Sequence, residues 1–340
     1  HVLPAMILHN HLLKEANVVI SSDKRGLKYL NKDIYKFEII NTPRLNNILL
    51  LPFNFILILF LTLKSLLLLK RKKIEKLIST GGYMSLPLIL AARLLKINVY
   101  LIEPNQVLGR ANKYFLSSCK KIFCYSNQIK NFPENFKYKI TIINPLVKEE
   151  VYKISLFSKP KDKFNILVVG GSQGANIFDS DLKKSIVNIS KKNPIKIIQQ
   201  TSVKNIPYLK DFYFKNNVEN TIFSFDENFP RIIQKADLCI TRAGASTLAE
   251  LSVLNIPFIA VPLPTSKDNH QYENANFYKN NDSCWIIEQN NFEEKIEEVL
   301  KDILDEKSNY LKKKENLKKL NYQNSWINVN QKILRSINEN

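Results

Sequence analysis

Short apolar runs recur along this chain and alternate with longer stretches whose apolar residues return at helical spacing. Runs at 15–20, 97–102, 121–125 and 139–143 make one series, and a second begins at 164–169 and continues at 236–241 and 257–261. Strands of this kind, each followed by a helical stretch, give the βα rhythm of a parallel sheet covered on both faces. The segment 151–163 (VYKISLFSKPKDK) is charged and carries Pro160, so it predicts an interdomain linker. The expected architecture is α/β, with two doubly wound, Rossmann-like domains over 1–150 and 164–340. Near the C-terminus Phe292, Ile296, Val299, Leu300, Ile303 and Leu304 mark an amphipathic helix, and the last helix is a candidate to return to the first domain.

One stretch departs from this rhythm. Residues 48–69 read ILLLPFNFILILFLTLKSLLLL, close to the ~20 apolar residues that cross a bilayer. Pro52, Asn54, Thr62 and Lys64 interrupt it, and the longest clean run is 55–61. A core or membrane-facing helix is therefore favoured over a transmembrane one. LKRKK follows, ending at Lys73, and the chain carries a formal charge of +19. Clustered Lys and Arg each contribute ~1 kcal/mol at an anionic leaflet; a solvated charge run is the alternative for this cluster. No basic-aromatic interleaving or zinc-finger spacing occurs, which argues against nucleic acid as a partner. The four cysteines, Cys119, Cys124, Cys239 and Cys284, form no CxxC pair and read as reduced and mostly buried in a cytosolic protein. His9 and His11 do not share a helix face and no HExxH is present, so neither a metal centre nor a cofactor is expected.

Two blocks carry most of the candidate chemistry. In the first, the run 236–241 leads through Arg242-Ala243-Gly244 into a helix beginning near Ser246. Unpaired N–H groups at such a helix start, at the positive end of its dipole, suit a diphosphate, and Arg242 would add a charged fork. Glu250, one turn on, suits two ribose hydroxyls, but Thr247-x-x-Glu250 is equally a capping box. In the second block, a polar loop enters a helix near His270. His270, Gln271 and Asn274 offer neutral donors and acceptors for sugar hydroxyls and an acetamido group, although a lone HQ pair is also an ordinary surface feature. The run 166–169 opens into GGSQGAN, where Gly170, Gly171 and Gly174 permit a tight turn or a close backbone approach. Gly81-Gly82-Tyr83 makes a similar turn after a strand, with Pro87 in the first turns of the helix that follows.

GGSQGAN (170–176), RAGASTLAE (242–250), PLPTSKDNHQYENA (262–275) and STGGYMSLPLILAARLL (79–95) resemble, in order and over nearly the whole chain, the MurG-type glycosyltransferases of peptidoglycan synthesis. The resemblance implies a GT-B fold, two Rossmann-like domains facing a cleft. It implies a hexosyltransferase that moves GlcNAc from UDP-GlcNAc, with inversion, to the C4 hydroxyl of the muramyl residue of lipid I, giving lipid II. Donor contacts are implied at Ser172, Gln173 and Gly174, at Phe225 and Asp226 beside the uracil ring, at Ala245, Ser246, Thr247, Leu248, Ala249 and Glu250, and at Gln271. Arg242, His270 and Asn274 join them on the chemistry above. Asn105 and Glu103 match the family's HEQN block, whereas Ile102 and Pro104 do not. Gly81, Gly82 and Tyr83 would receive the pyrophosphate of lipid I, with Asn112 nearby. His1 is the expected general base and Glu103 the alternative, since an imidazole with a pKa of about 6.5 works near neutral pH. The implied partners are UDP-GlcNAc, lipid I, an anionic membrane surface, and cell-wall or division proteins, with roles in cell shape and division. The implied location is the cytoplasmic face of the inner membrane, as a peripheral protein.

Two departures from the family stand out. The family opens with a strand and a glycine-rich loop ending in histidine, whereas this sequence begins at the matching histidine, His1, so that strand and loop are expected to be missing. The family's arginine near the donor falls on Val147; the adjacent Lys148 cannot make a bidentate contact, and weaker donor affinity is expected. The alternatives are another GT-B lipid glycosyltransferase, a nucleotide-sugar epimerase, or a truncated, non-catalytic UDP-sugar-binding chain.

Overall fold

The apolar runs become parallel strands in two separate units, 1–146 with 325–340, and 147–324. The computed structural model describes residues 2–27, 30–31, 33–43, 51–154, 162–170, 176–226 and 228–339. In chain order the first unit holds α1 (Val2–Leu12), β1 (Ile20–Ser22), β2 (Phe37–Ile39), α2 (Leu51–Arg71), β3 (Lys76–Ser79), α3 (Leu86–Leu94), β4 (Asn98–Glu103), α4 (Arg110–Phe115), β5 (Lys121–Cys124) and β6 (Ile140–Ile142). The second holds α5 (Glu149–Lys153), β7 (Phe164–Val169), α6 (Asn176–Ser180), α7 (Leu182–Ser190), β8 (Ile195–Gln200), α8 (Ile206–Lys215), β9 (Glu219–Phe223), α9 (Phe229–Gln234) and β10 (Leu238–Thr241). It continues with α10 (Ala245–Val253), β11 (Phe258–Ala260), α11 (His270–Asn280), β12 (Trp285–Ile286), α12 (Phe292–Asp305) and α13 (Lys307–Leu320). The last helix, α14 (Trp326–Asn338), belongs to the first unit.

Among the described residues the second unit forms one six-stranded parallel sheet in the order β9-β8-β7-β10-β11-β12. Counted from β7, this is the 3-2-1-4-5-6 order of a dinucleotide-binding domain, and the direction of winding reverses between β7 and β10. Strand alternation divides the core. Ile166 and Val168 face Phe178, Leu182 and Ile186, whereas Leu167 and Val169 face Leu248, Ala249 and Leu251. A strand buried on both sides reads as the unbroken apolar run seen in the sequence.

The described strands of the first unit form a parallel sheet in the order β3-β4-β5-β6 and a separate pair, β1-β2. The run at 15–20 becomes strand only at Ile20. Helix α1 ends at Leu12, whose carbonyl accepts the amides of Glu15 and Ala16 at 3.0 Å, so residues 13–17 turn in solvent. Helix α14 packs Val329, Ile333 and Ile337 against Ile7, Leu8, Leu12 and Phe123. Tyr100 Oη donates to the Ile337 carbonyl at 3.1 Å, and the His11 ring stacks on Trp326.

The linker expected over 151–163 begins too late. Val147 and Val151, four residues apart on one face of the α5 region, are both buried in the second unit's core, so that unit already starts at Val147. Residues 155–161 lie outside the described residues.

Helix α2 reverses the usual sidedness. Asn54, Thr62 and Ser65 are buried with Ile58, Leu61 and Leu69, while Phe53, Phe55, Ile56, Leu59, Phe60, Leu63 and Leu67 are each half exposed or more. The buried hydroxyls are satisfied inside the helix: Thr62 Oγ1 donates to the Ile58 carbonyl at 2.8 Å and Ser65 Oγ to Leu61 at 2.7 Å. The helix is long and apolar enough to cross a bilayer, but its buried face packs on α3 in the first unit's core. Residues 48–50 of the apolar stretch lie outside the described residues.

If α14 is integral to the first unit, Ile333→Ala, at a fully buried position, should destabilise that unit by about 2–5 kcal/mol in denaturant unfolding. A variant as stable as the parent would show that the contact with α1 contributes little.

Candidate active site

In an open α/β sheet, ligands bind outside the carboxyl ends of the strands where the winding reverses. In the second unit that place lies beyond β7 and β10. The loop after β7 is 170–175, and Ser172, Gln173 and Gly174, the expected donor contacts there, lie outside the described residues. The loop after β10 is Arg242-Ala243-Gly244, and α10 starts directly behind it with Gly244 as its N-cap and no side-chain cap. This removes the capping-box reading of Thr247 and Glu250: the helix begins at Ala245, so Thr247 is inside the first turn and cannot cap it. The first amides of α10, at Ala245, Ser246 and Thr247, have no partner within the helix, and a Cβ at Gly244 would meet nothing within 4 Å among the described residues. Those amides lie at the positive end of the α10 dipole.

Helix α11 holds this loop in place. Gln271 Oε1 accepts the amides of Ala243 at 3.2 Å and Leu263 at 3.0 Å, and Asn274 Nδ2 donates to the Ala243 carbonyl at 3.2 Å. The amide and the carbonyl of one residue, Ala243, are thus held by two side chains one helical turn apart. Asn274 is buried, with its side-chain amide engaged by the Ala243 carbonyl. The two oxygen bonds orient the Gln271 amide and leave its Nε2 as the group available to a sugar hydroxyl. His270 Nδ1 lies 2.7 Å from the Lys267 carbonyl; an oxygen there requires Nδ1 to carry the proton, so a neutral ring presents Nε2 as an acceptor. Ser266, whose Oγ accepts the Gln271 amide at 3.4 Å, was not singled out in the sequence.

Arg242 departs from its expected role. Its Nη1 donates to the Val261 carbonyl at 3.1 Å and its Nη2 to Gln289 Oε1 at 2.6 Å, and the guanidinium lies over the Phe178 ring. The side chain ties the ends of β10 and β11 together and packs on α6, so it is not a free fork for a diphosphate. Leu248 and Ala249 also differ from expectation: their side chains are buried in the core, and only their backbone is left to serve the site. Phe225 is 76% exposed at the end of β9 and offers an uncovered ring. Asp226 Oδ1 accepts the Asn228 amide at 2.7 Å, which shapes the same loop.

Glu250 is 7% exposed. Burial pushes its carboxyl up to about 7, against the pull of the Lys148 charge. A carboxyl raised in this way favours the folded state at acid pH, and the advantage is lost as pH rises from the ordinary carboxylate range through about 7.

In the first unit, Glu103 ends β4 and is buried. Its Oε1 accepts the Asn105 amide at 3.2 Å and Asn105 Nδ2 at 3.0 Å; its Oε2 accepts the Gly109 amide at 2.7 Å and Asn112 Nδ2 at 3.0 Å. Burial raises its pKa while these four donors lower it. Every lone-pair direction of the carboxylate is engaged, so Glu103 ties together the loop that carries Asn105 and the start of α4 that carries Asn112, and is a poor candidate for the base. His1 lies outside the described residues. Gly81 and Gly82 both have φ of 88°, which only glycine adopts easily, and a short 3-10 turn (Tyr83–Ser85) separates them from α3.

The two halves of the chain match two family models: the glycosyltransferase family 28 N-terminal domain over residues 1–124 and the C-terminal domain over 165–325. The chain is a member of glycosyltransferase family 28. A Pelagibacter ubique relative, a UDP-N-acetylglucosamine–N-acetylmuramyl-(pentapeptide) pyrophosphoryl-undecaprenol N-acetylglucosamine transferase, is 49% identical over 100% of this chain and 96% of its own. A relative of the same name from Rickettsia canadensis is 36% identical over 86% of this chain and 83% of its own. Among solved structures, MurG of Acinetobacter baumannii superposes with a TM-score of 0.77 at 24% identity, covering 98% of this chain and 96% of that one. This family 28 chain accordingly has the GT-B fold of two Rossmann-like domains.

In this family 28 enzyme Glu250→Gln removes a buried charge. It should be more stable than the parent at about pH 8, by at most ~3 kcal/mol, with the difference shrinking towards pH 5, while donor affinity falls. Urea unfolding at the two pH values checks this, and a pH-independent difference would contradict it. Gly109→Ala places a Cβ 2.9 Å from Glu103 Oε2 and removes no hydrogen-bonding group. It should therefore lower turnover by displacing the Asn105 loop while leaving donor affinity unchanged, and an unaltered turnover would argue against the Glu103 network as an organiser.

Proposed function

We propose that this chain transfers N-acetylglucosamine from UDP-N-acetylglucosamine to the C4 hydroxyl of the muramyl residue of undecaprenyl-pyrophosphoryl-MurNAc-pentapeptide, lipid I, giving lipid II for peptidoglycan. The observation that carries this reading is the 49% identity, from end to end, with the Pelagibacter transferase of that specificity. The site geometry supports it. The diphosphate sits at the open start of α10, where unpaired amides stabilise the charge that grows on it as the sugar leaves. Glu250 accepts the ribose hydroxyls, Phe225 covers the uracil ring, and Gln271 Nε2 and His270 Nε2 meet the sugar. The family resemblance assigns Ser172, Gln173 and Gly174, which lie outside the described residues, to the same donor.

The acceptor belongs to the first unit, with its pyrophosphate at the Gly81-Gly82-Tyr83 turn and its sugar near Asn105 and Asn112. His1 takes the proton from the C4 hydroxyl as that oxygen attacks the anomeric carbon opposite the diphosphate, which inverts the configuration. This scheme needs no metal and no further cofactor. Transfer of radiolabelled GlcNAc to a short-chain lipid I analogue tests it. Product is expected with UDP-GlcNAc as donor, and a folded enzyme that releases no UDP in the presence of both substrates would contradict it.

The acceptor is anchored in a bilayer, and α2 supports a peripheral seat on the cytoplasmic leaflet. Its outward Phe53, Phe55, Ile56, Phe60 and Leu63 form an apolar surface next to Lys70, Arg71, Lys72 and Lys73. The packing of its other face within the first unit argues against a span. Cell-wall and division proteins would meet the enzyme at that membrane. Phe55→Asp with Phe60→Asp should lower flotation with phosphatidylglycerol vesicles about tenfold or more, given the ~1.5–3 kcal/mol of each buried Phe. It should leave UDP-GlcNAc affinity unchanged, and undiminished flotation would remove this face as the membrane contact.

A further inference from the structure

Strand β8 runs into three consecutive polar residues, Gln199, Gln200 and Thr201. Two of them turn to one face. Gln199 Nε2 donates to Asp179 Oδ1 of α6 at 2.9 Å and Thr201 Oγ1 to Asp179 Oδ2 at 2.5 Å, while Tyr213 Oη of α8 donates to Gln199 Oε1 at 2.9 Å. Both side chains are buried. The Thr201 amide also donates to the Phe223 carbonyl at 2.8 Å, which joins the ends of β8 and β9. The backbone of Gln200 is therefore held by a fixed neighbour on either side.

Gln200 itself points the other way, to the face where Ile198, Phe223 and Phe229 pack. There its Nε2 donates to the Ser224 carbonyl at 3.1 Å. A reversed amide would oppose two oxygens, so the carbonyl decides which end of the amide it meets. Among the described residues Gln200 Oε1 is buried and meets no donor, so Ser224 is the one partner of this side chain. The Ser224 carbonyl and the Phe225 N–H belong to one planar peptide and point in opposite directions, so holding the oxygen sets the direction of the N–H. No described residue accepts from that N–H. The same residue carries the exposed Phe225 ring.

We propose that Gln200 is a positioning residue of the donor site that makes it selective for uracil, aiming the Phe225 N–H at the C4 oxygen of the base through the Ser224 carbonyl. The proposal rests on the nucleotide-sugar reading above. Uracil presents an acceptor at C4 where cytosine presents an amino group, so an N–H held in one direction serves the first base and opposes a donor on the second.

Calorimetric titration with UDP and with CDP, beside donor-saturation kinetics on the lipid I analogue, tests this. Parent protein should bind UDP more tightly than CDP. In Gln200→Met, which keeps the length and removes the amide, UDP affinity should fall about tenfold, the loss of roughly one hydrogen bond. CDP affinity should stay where it is, and the donor KM should rise with kcat unchanged. Gln200→Asn, whose amide stops one methylene short of Ser224, should behave in the same way. Thr201→Val, on the opposite face of the same strand end, should leave the ratio of UDP to CDP affinity at the parent value. Unaltered UDP affinity in both Gln200 variants, equal weakening of UDP and CDP, or the same loss of preference in Thr201→Val overturns the role of Gln200 and leaves the nucleotide reading intact. No binding of either nucleotide by folded parent protein overturns both.

Discussion

The backbone of Ala243 is the point on which the second unit's site depends. Its amide is held by Gln271 and its carbonyl by Asn274, so the start of α10 is placed by the helix that follows the next strand. Each such bond contributes only ~1 kcal/mol net. Their geometric effect is larger, because two side chains, at the second and fifth residues of one helix, set the position of a loop that has no side-chain cap of its own. Arg242 adds a third tie, from the end of β10 to the end of β11. The loop can then stay open towards a ligand without losing its shape, as an anion site built from backbone amides requires.

Three charged groups, the half-buried Arg242 and the buried Glu103 and Glu250, show how similar residues are put to different use. Arg242 has its donors engaged by two strand ends and serves architecture. Glu103 has four N–H donors and serves as the hub of a loop. Glu250 is the one among them without a described donor, and for that reason it is the one poised to take a ligand's hydroxyls. Sequence position alone does not rank these three: Glu103 and Arg242 stand at or just beyond the carboxyl end of a parallel strand, and Glu250 lies in the helix that follows one. What separates them is where their neighbours' polar atoms point.

Much of the fold was legible because parallel strands buried on both faces leave short apolar runs bounded by polar residues, unlike the long apolar stretch that becomes α2. The runs at 97–102, 121–125, 139–143 and 164–169 became β4, β5, β6 and β7 almost residue for residue. The run at 15–20 did not, because Leu12 closes α1 early and the polar residues after it stay in solvent. The linker was placed too late because Val151 sits in a charged stretch whose burial depends on a partner helix a hundred residues away. In the site, residue types announced the chemistry at Glu250, His270 and Gln271. They did not reveal that Asn274 and Arg242 face inward, or that Leu248 and Ala249 lend only backbone. Helix α2 illustrates the same limit: its composition fitted a core helix, a span and a membrane-facing helix alike, and only the burial of Asn54, Thr62 and Ser65 shows which side is turned out.

Calorimetric titration of the folded chain with UDP-GlcNAc, UDP-GalNAc and UDP-glucose, side by side at one pH, tests the central claim most directly. The three share the uridine diphosphate and differ only in the groups that Gln271 and His270 would meet. Binding of UDP-GlcNAc at least tenfold tighter than the other two is the predicted result. Equal binding of all three, or none, would contradict the assignment of this site as the N-acetylglucosamine donor site.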